Sequence, residues 1–513
     1  MLKVIVTGFA ALAAATAHAS ITLNNTDCSW NSVTCLPTAL CESTGDDFRP
    51  CRVKDNVDYY PQQLHLAYAG KSAGTAMTVS WSTYAKVDDS SVWIGRSEDT
   101  LELVDTPVTQ TSYYHDATYN MFHHHAMVSG LTPHTKYYYK VGSNANAAHT
   151  SDVYSFVTAR AASDSSTFNM VIYGDFGAGN ESKDTLAYVN TLNADNVDLI
   201  YHIGDIGYAD DAWLMPDQAE GFFYEKVYNG WMNSMAPVMS SVPYMVLVGN
   251  HEYECHSPAC AASAERMNML RNFTAYNSRF QMPSKEVDGT LNMWYSFEHG
   301  PIHFTSISSE TDYKGEPSNE FADPPRNGHF GDQLAWVEAD LKKADANRGN
   351  VPWLIVGMHR PLYDVSGCPN GVPADHNANI QAAFEDLFIK YRVDVVLTGH
   401  QHYYERQTPI LNSTAVLDGV SSDFARYDNP KAPVYIVSGA CGTVEGLDMA
   451  PDPTNVTWNA ASNYIDYGFS TLEANRSKLS WKFLNSSNQA VLDEFVMWKT
   501  SPSTEGCSDA ISA

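Results

Sequence analysis

The pattern of apolar and polar residues before residue 160 is typical of short strands. Runs rich in β-branched and aromatic residues alternate with turn residues such as Gly130 and Pro133. The runs are residues 77–81, 91–94, 136–141 and 154–157. Regular short strands without a helical period favour a β-sandwich. We therefore predict an all-β domain over residues 61–160.

A different pattern begins at residue 168, after a Ser-rich linker at 161–167. Near-continuous apolar runs occupy residues 168–173, 198–203, 244–248, 352–356 and 393–397. Strands that are buried on both faces have this composition. Residues 334–344 and 380–391 have the helical period of segments that cover such sheets. This predicts an α/β domain over 168–500, with residues 432–500 as its C-terminal β part.

Each of the five apolar runs leads into a turn that carries metal-ligand side chains. The turns are G-D-F-G at 174–177, G-D-I-G-Y at 204–208, G-N-H-E at 249–252, V-G-M-H at 356–359 and G-H-Q-H at 399–402. Functional residues at strand ends are the rule in α/β sheets. Carboxylates, imidazoles, an amide and a phenol suit hard and borderline cations, and a carboxylate can bridge two of them. One such turn alone would be ordinary, but five in this order predict a dinuclear centre in which Asp175 or Asp205 is shared.

The net charge of the chain limits the classes of molecule that it is expected to bind. The formal net charge of −28 argues against nucleic-acid binding, which needs Lys and Arg to displace counterions. It also argues against a polybasic membrane anchor. An anionic substrate would then need a local positive centre, and a pair of metal ions would supply it.

The N-terminus has the features of a secretory signal over residues 1–19. Lys3 precedes an apolar run at 4–15, and Ala17 and Ala19 stand before a cleavage position near Ser20. The run is shorter than the ~20 residues that span a membrane, so we expect a secreted, extracellular protein that is not membrane-bound. Asn-x-Ser/Thr sequons suggest N-linked glycans; they begin at Asn24, Asn180, Asn272, Asn412, Asn455, Asn475 and Asn485.

Nine cysteines in a secreted chain suggest disulfides. The N-terminal segment, residues 20–60, contains Cys28, Cys35, Cys41 and Cys51. These four allow three pairings, and a zinc site is the less favoured alternative because the spacing has no repeated C-x₂-C. Cys255 and Cys260 could close a small loop. Cys368, Cys441 and Cys507 leave one thiol unpaired.

The five turns together resemble the pattern of the purple acid phosphatases in the metallophosphoesterase superfamily: G-D-x-G, G-D-x-x-Y, G-N-H-E, V-x-x-H and G-H-x-H. The resemblance covers about residues 168–404 and extends to a fibronectin type III-like N-terminal module. It implies an α/β (α+β) core of two sheets flanked by helices, preceded by an all-β sandwich. It also implies a secreted phosphatase that hydrolyses phosphate monoesters through a metal-bound hydroxide.

The resemblance assigns the ligands position by position. Ferric iron (Fe³⁺) would be held by Asp175, Asp205, Tyr208 and His402. A divalent ion (Zn²⁺, Fe²⁺ or Mn²⁺) would be held by Asp205, Asn250, His359 and His400, with Asp205 as the bridge. The alternatives that stay open are a phosphodiesterase, a phytase or nucleotide-selective phosphatase, and a non-catalytic secreted binding protein.

Other residues near these turns are candidates for substrate contact. His251, beside Asn250, would bind phosphate or donate a proton. Plant members carry two histidines shortly after V-x-x-H, whereas this chain has only His376, either an acid or a surface residue. Arg360 would contact phosphate or pair with a carboxylate.

Two segments are expected to lie outside the chemistry. Residues 123–125, three consecutive histidines, are expected to form a solvated or loop cluster, since three neighbours on a strand cannot face one ion. Residues 212–239, rich in aromatic residues and Met, are expected to pack as core. The sequence gives no oligomeric state.

Overall fold

The structure is a computed structural model, and it describes residues 58–116, 120–215, 221–317, 328–451 and 456–499. The signal sequence at 1–19, nearly all of segment 20–60, its four cysteines, Cys507, and the sequons at Asn24 and Asn455 lie outside the described residues. Those expectations stay predictions.

The N-terminal part is an antiparallel β-sandwich, as the sequence predicts. Its strands are β1 (Gln62–Ala69), β2 (Ala76–Thr83), β3 (Ser90–Gly95), β4 (Glu102–Leu103), β5 (Val108–Thr111), β6 (Phe122–Ser129), β7 (Lys136–Ser143) and β8 (Tyr154–Val157). They form two four-stranded sheets, β1-β2-β6-β5 and β4-β3-β7-β8. Trp81, Tyr139 and Phe156 are buried in the core.

The three consecutive histidines are buried on β6, so the expectation of a solvated cluster is wrong. His124 stacks on Trp81 and contacts Thr83 Oγ1 at 2.8 Å, on the face toward the second sheet of the sandwich. His125 points the other way and contacts the carbonyl of Ser278 at 3.0 Å. Neighbouring side chains do face opposite sides, but both faces of this strand are covered.

The second part alternates strands and helices. Its elements in chain order are β9 (Phe168–Tyr173), β10 (Phe176–Gly177), α1 (Lys183–Val189), β11 (Leu199–Ile203), β12 (Ile206–Gly207), α2 (Tyr224–Met239), β13 (Tyr244–Leu247), α3 (Pro258–Ala261), α4 (Ala264–Leu270), α5 (Thr274–Arg279), β14 (Tyr295–His299), β15 (Ile302–Ser306), α6 (Gln333–Ala346), β16 (Trp353–Gly357), α7 (Asp375–Lys390), β17 (Val395–Thr398), β18 (Tyr404–Leu411), β19 (Thr414–Ala415), β20 (Arg426–Asp428), β21 (Val434–Ser438), β22 (Asn459–Asn463), β23 (Gly468–Ala474), β24 (Lys478–Asn485) and β25 (Val491–Trp498).

Two large sheets form the core of this part. One has the order β13-β11-β9-β23-β24-β25-β20, and the other runs β14-β15-β16-β17-β21-β18-β19, with β22 beside β18. Strands β9, β11 and β13 are mutually parallel, as are β15, β16, β17 and β21. Tyr201 on β11 donates to or accepts from Ser306 Oγ on β15 at 2.7 Å, so the sheets pack face to face. The five ligand-bearing turns therefore meet at the carboxyl ends of both sheets.

Helix α2 and the sandwich are joined through one buried arginine. Arg279 is fully buried; it donates to Glu225 Oε2 at 2.7 Å and to Asn229 Oδ1 at 2.8 Å on α2. It also donates to Gln63 Oε1 on β1 at 3.2 Å and lies over the Tyr228 ring. One guanidinium thus connects the two parts of the chain.

The described part of residues 212–239 packs as core, as expected, with Trp231 and Met235 fully buried on α2. Cys255 and Cys260 form a disulfide, and Cys368 and Cys441 are buried free thiols. Within the described residues, every helix is too short or too polar to span a membrane.

Candidate metal centre

The backbone at the strand ends turns sharply at the candidate ligands themselves. Asp175, Asp205, Tyr208 and His400 have φ values of 60°, 57°, 52° and 68°, in the left-handed region that side chains other than glycine rarely occupy. Turns of this kind direct the loops that follow successive strands toward a common region. A Cβ on Gly249 would lie 2.2 Å from Asp205 Oδ1, so only glycine permits this approach.

One group of ligand atoms surrounds the Asp205 carboxylate. His359 Nε2 lies 2.9 Å from Asp205 Oδ2 and 3.2 Å from Asn250 Oδ1. Ligand atoms of Asp205, His359 and His400 all lie within 4.8 Å of one another. This group contains the residues expected to hold the divalent ion.

A second group surrounds the Tyr208 hydroxyl. That oxygen lies 2.8 Å from His402 Nε2 and 3.3 Å from both Asp175 Oδ1 and Asp205 Oδ2. Asp205 Oδ2 therefore contacts a side-chain donor atom of each group, His359 Nε2 and the Tyr208 hydroxyl, as a bridging ligand must.

The ring orientations of two histidines are fixed by backbone carbonyls. His359 Nδ1 donates to the carbonyl of Ile203, and His402 Nδ1 donates to that of Gly446, each at 3.0 Å. A metal-binding imidazole is commonly oriented by a hydrogen bond of this kind from its other nitrogen. In both rings Nε2 is left to face the cluster.

The charges of the cluster fit bound cations. Burial lowers the pKa of His359, but the Asp205 carboxylate raises it more, to about 9. The surrounding donor atoms therefore favour a positive charge at the position of this imidazole. Burial, and then the carboxylates of Asp175 and Asp205, raise the pKa of Tyr208 well above its usual range. A buried carboxylate such as that of Asp205 needs a compensating positive charge, and Tyr208 would need one in order to ionise.

Glu252 ties two of the turns together. Its buried carboxylate accepts hydrogen bonds from the backbone N–H groups of Asp205, Ile206 and Gly249 at 2.7–2.9 Å. The fourth residue of G-N-H-E thus positions the turn that carries Asp205 against its own.

His251 faces the cluster from the side. Its Nδ1 donates to Asp210 Oδ2 at 2.8 Å, and its Nε2 lies 3.9 Å from Asp205 Oδ2 and 3.7 Å from Glu445 Oε2. Burial lowers the pKa of His251, but the carboxylates of Asp210 and Asp205 raise it well above its usual range. His251 therefore lies at the edge of the ligand set, where the neighbouring carboxylates favour its protonated form.

The sequence analysis missed the acidic residues around His251. Asp210 and Asp211 form a compact group with His251, and their position just after Tyr208 in the chain could have drawn attention to them. Glu445 lies 3.7 Å from both His251 Nε2 and His402 Nε2. It comes from a C-terminal loop without a metal-ligand motif, so the sequence held no signal for it.

Arg360 lies between a carboxylate and the cluster. Its Nε donates to Glu310 Oε2 at 2.8 Å, and its Nη1 lies 2.9 Å from His400 Nε2. The second contact needs a lone pair on Nε2. A cation on either nitrogen of a neutral His400 ring would remove that acceptor, because the other nitrogen must then carry the hydrogen. Metal binding by His400 would therefore leave Arg360 Nη1 free to contact an anionic ligand.

His376 is exposed on the first turn of α7 and does not contact the ligand cluster. It lines a cavity of about 190 Å³ together with Arg360, His400 and Gln401. The structure therefore places His376 beside an opening that reaches two of the other candidate residues.

Three family descriptions match successive parts of the chain, the first two of which overlap at residues 146–158. Residues 61–158 match "Purple acid Phosphatase, N-terminal domain", and residues 146–404 match "Calcineurin-like phosphoesterase". Residues 432–494 match "Iron/zinc purple acid phosphatase-like protein C".

Similar proteins carry phosphatase names. Acid phosphatase A of Cryphonectria parasitica is 30% identical over 490 residues, which cover 86% of this chain and 92% of that protein. Acid phosphatase type 7 of Homo sapiens is 30% identical over 447 residues, covering 80% and 84%. A solved purple acid phosphatase from yellow lupin (Lupinus luteus) seeds superposes with a TM-score of 0.68 at 22% identity, covering 88% of this chain and 78% of that one, which shows a common fold.

Proposed function

The chain belongs to the purple acid phosphatase family and is an acid phosphatase, and from that premise we propose that it hydrolyses phosphate monoesters at a centre of one ferric and one divalent ion. The observation that carries this proposal is the position of the Tyr208 hydroxyl. It lies against Asp175, Asp205 and His402, a set of hard oxygen donors and one imidazole that suits ferric iron.

In this proposal Asp175, Asp205, Tyr208 and His402 hold the ferric ion. Asp205, Asn250, His359 and His400 hold Zn²⁺, Fe²⁺ or Mn²⁺, and Asp205 bridges the pair. When bound, the two cations supply Lewis acidity toward water and toward the phosphoryl oxygens.

The neighbouring residues act on the substrate's other atoms. His251 is oriented by Asp210 and presents Nε2 to the cluster, where it binds a phosphoryl oxygen or donates a proton. Arg360, held at Nε by Glu310, directs Nη1 toward the site and there pairs with the phosphoryl group. Since the net charge of the chain is −28, these local cations offset the repulsion of an anionic substrate.

Replacing Tyr208 by phenylalanine tests the ferric assignment. The purified protein is expected to show a visible tyrosinate-to-iron charge-transfer band, and Tyr208→Phe to lose it. Tyr276→Phe is the matched control, because Tyr276 is also buried but its hydroxyl contacts backbone carbonyls away from the cluster. A colourless wild-type protein that contains two zinc ions would contradict the assignment.

We also propose that His376 protonates the leaving group from the cavity beside His400. His376→Ala is then expected to lower kcat about 100-fold for an alkyl phosphate, whose leaving group needs a proton. It should lower kcat far less for 4-nitrophenyl phosphate, whose leaving group departs unprotonated. The exposed His115→Ala is the control. Equal losses on both substrates would show that His376 is not the acid.

Secretion and glycosylation belong to the same proposal. Asn180, Asn272 and Asn412 are exposed, as acceptors of N-linked glycans must be. N-terminal sequencing of the mature protein should begin near Ser20, and a chain that keeps Met1 would argue against export.

A further inference from the structure

A second large cavity lies at the opposite end of the β15-β16-β17-β21 part of the sheet. It measures about 580 Å³ and is lined by Pro352, Asp394 and Pro433, which directly precede β16, β17 and β21. His359 follows β16 seven residues after Pro352, which is roughly 23 Å along an extended strand. The cavity is thus separate from the metal centre.

Cationic side chains dominate this cavity. Its lining contains Arg348, Arg392, Lys431, Arg476 and Lys499 but a single carboxylate, Asp394. Such a concentration is unexpected in a chain with a net charge of −28. Like charges repel at short range, so a site that gathers them favours an anion.

Internal ion pairs offset only part of this charge. Lys499 Nζ and Arg348 Nη1 share Asp394, at 2.6 and 2.7 Å. Arg392 pairs with Asp345 at 2.7 Å, the same carboxylate that Arg348 Nε contacts. Two carboxylates therefore face three cations.

The remaining two cations have no carboxylate partner among the described residues. Arg476 donates only to backbone carbonyls, those of Ala162, Gly349 and Asn350. Lys431 is exposed and forms no ion pair within the described part of the chain. Five cations therefore line the cavity, and two carboxylates pair with them, which leaves an excess of three positive charges.

The cavity also has an apolar wall. Ile389, Val393, Pro430 and Ala432 line it together with the two prolines at the strand starts. Its volume is in the range of about 300–1,000 Å³ that small-molecule sites occupy, and such sites combine an apolar lining with a few convergent polar groups. We propose that this cavity binds a small organic anion that has an apolar body and a phosphate, sulfate or carboxylate head.

The probe for this site is 8-anilinonaphthalene-1-sulfonate, which has both features and is not a phosphate ester. Its fluorescence is titrated against the full-length metal-loaded enzyme in a buffer without phosphate or sulfate, and the variants below distinguish the cavity from the catalytic centre. One binding site is expected. Its affinity should fall as salt is raised, because exposed cations are screened.

Two variants locate the probe. Lys431→Glu reverses an exposed charge and is expected to raise Kd about tenfold, the effect of losing one charge-assisted hydrogen bond. Gly349→Trp should abolish binding, since a Cβ built on this lining glycine meets no atom within 4 Å and its side chain has room to fill the cavity. Lys342→Glu makes the same charge change on exposed α6 outside the cavity and should leave Kd unchanged.

Hydrolysis of 4-nitrophenyl phosphate should be the same in all three variants, which also shows that they are folded. The proposal is overturned if Lys431→Glu and Lys342→Glu bind the probe equally, or if Gly349→Trp binds it like the wild type.

Discussion

Asp205→Asn is expected to lower kcat by about a thousandfold or more, the largest effect on activity that we predict for a single substitution. Asparagine has nearly the same shape as aspartate, so the hydrogen bond from the backbone N–H of His251 to Oδ1 of residue 205 is kept. What is lost is the charge of the carboxylate that contacts both His359 and Tyr208. A neutral amide bridges two cations poorly, so metal content should fall with activity.

The measurement is kcat together with metal content by elemental analysis. Asp340→Asn is the matched control: Asp340 is also buried, but it accepts hydrogen bonds from Ser296, His303 and Thr305, outside the cluster. That variant should lose stability and keep its metals and its kcat. Two full equivalents of metal in Asp205→Asn would show that Asp205 is not the bridge.

Arg279→Ala is expected to lower the free energy of unfolding by about 4 kcal/mol, the largest stability effect we predict. The substitution would leave the Glu225 carboxylate, which is 2% exposed, buried without the guanidinium charge. It would also remove the hydrogen bonds by which the guanidinium joins Asn229 on α2 to Gln63 on β1. Urea denaturation of the metal-loaded protein measures the loss.

Two further variants make this result specific. Arg426→Ala breaks an ion pair with Asp428 whose side chains are 54% and 44% exposed, and it should change stability far less than Arg279→Ala because solvent screens such a pair. Arg279→Met combined with Glu225→Leu removes both buried charges and should cost less than Arg279→Ala alone. If the double variant is the less stable of the two, the hydrogen bonds and not the buried charge dominate.

The fold class and the gathering of the ligands could be predicted from the sequence because both depend on local patterns. Apolar runs that end in Gly-Asp or Gly-His specify buried strands and the turns after them, and parallel strands bring those turns to one edge. His359 and His400 each follow one of two adjacent parallel strands, β16 and β17, so their proximity follows from topology alone.

The remaining features depend on contacts between distant segments. Nothing in the sequence shows that α5, through Ser278, covers the outer face of β6, so His125 was expected in solvent. Glu445 reaches the cluster from a loop after β21, and Glu310 reaches Arg360 from the loop after β15. Neither loop has a periodic sequence pattern that would predict which residues it contacts.

The left-handed backbone at Asp175, Asp205, Tyr208 and His400 bears on how this protein can evolve. A left-handed residue other than glycine costs roughly 1–2 kcal/mol, so our proposal that these side chains hold the metals implies that selection for catalysis maintains them at a cost in stability. In a lineage released from that selection, glycine and asparagine would be the substitutions that stabilise the chain. Descendants that lost the activity should therefore become more stable as the ligand positions drift, and glycine at these positions would identify them.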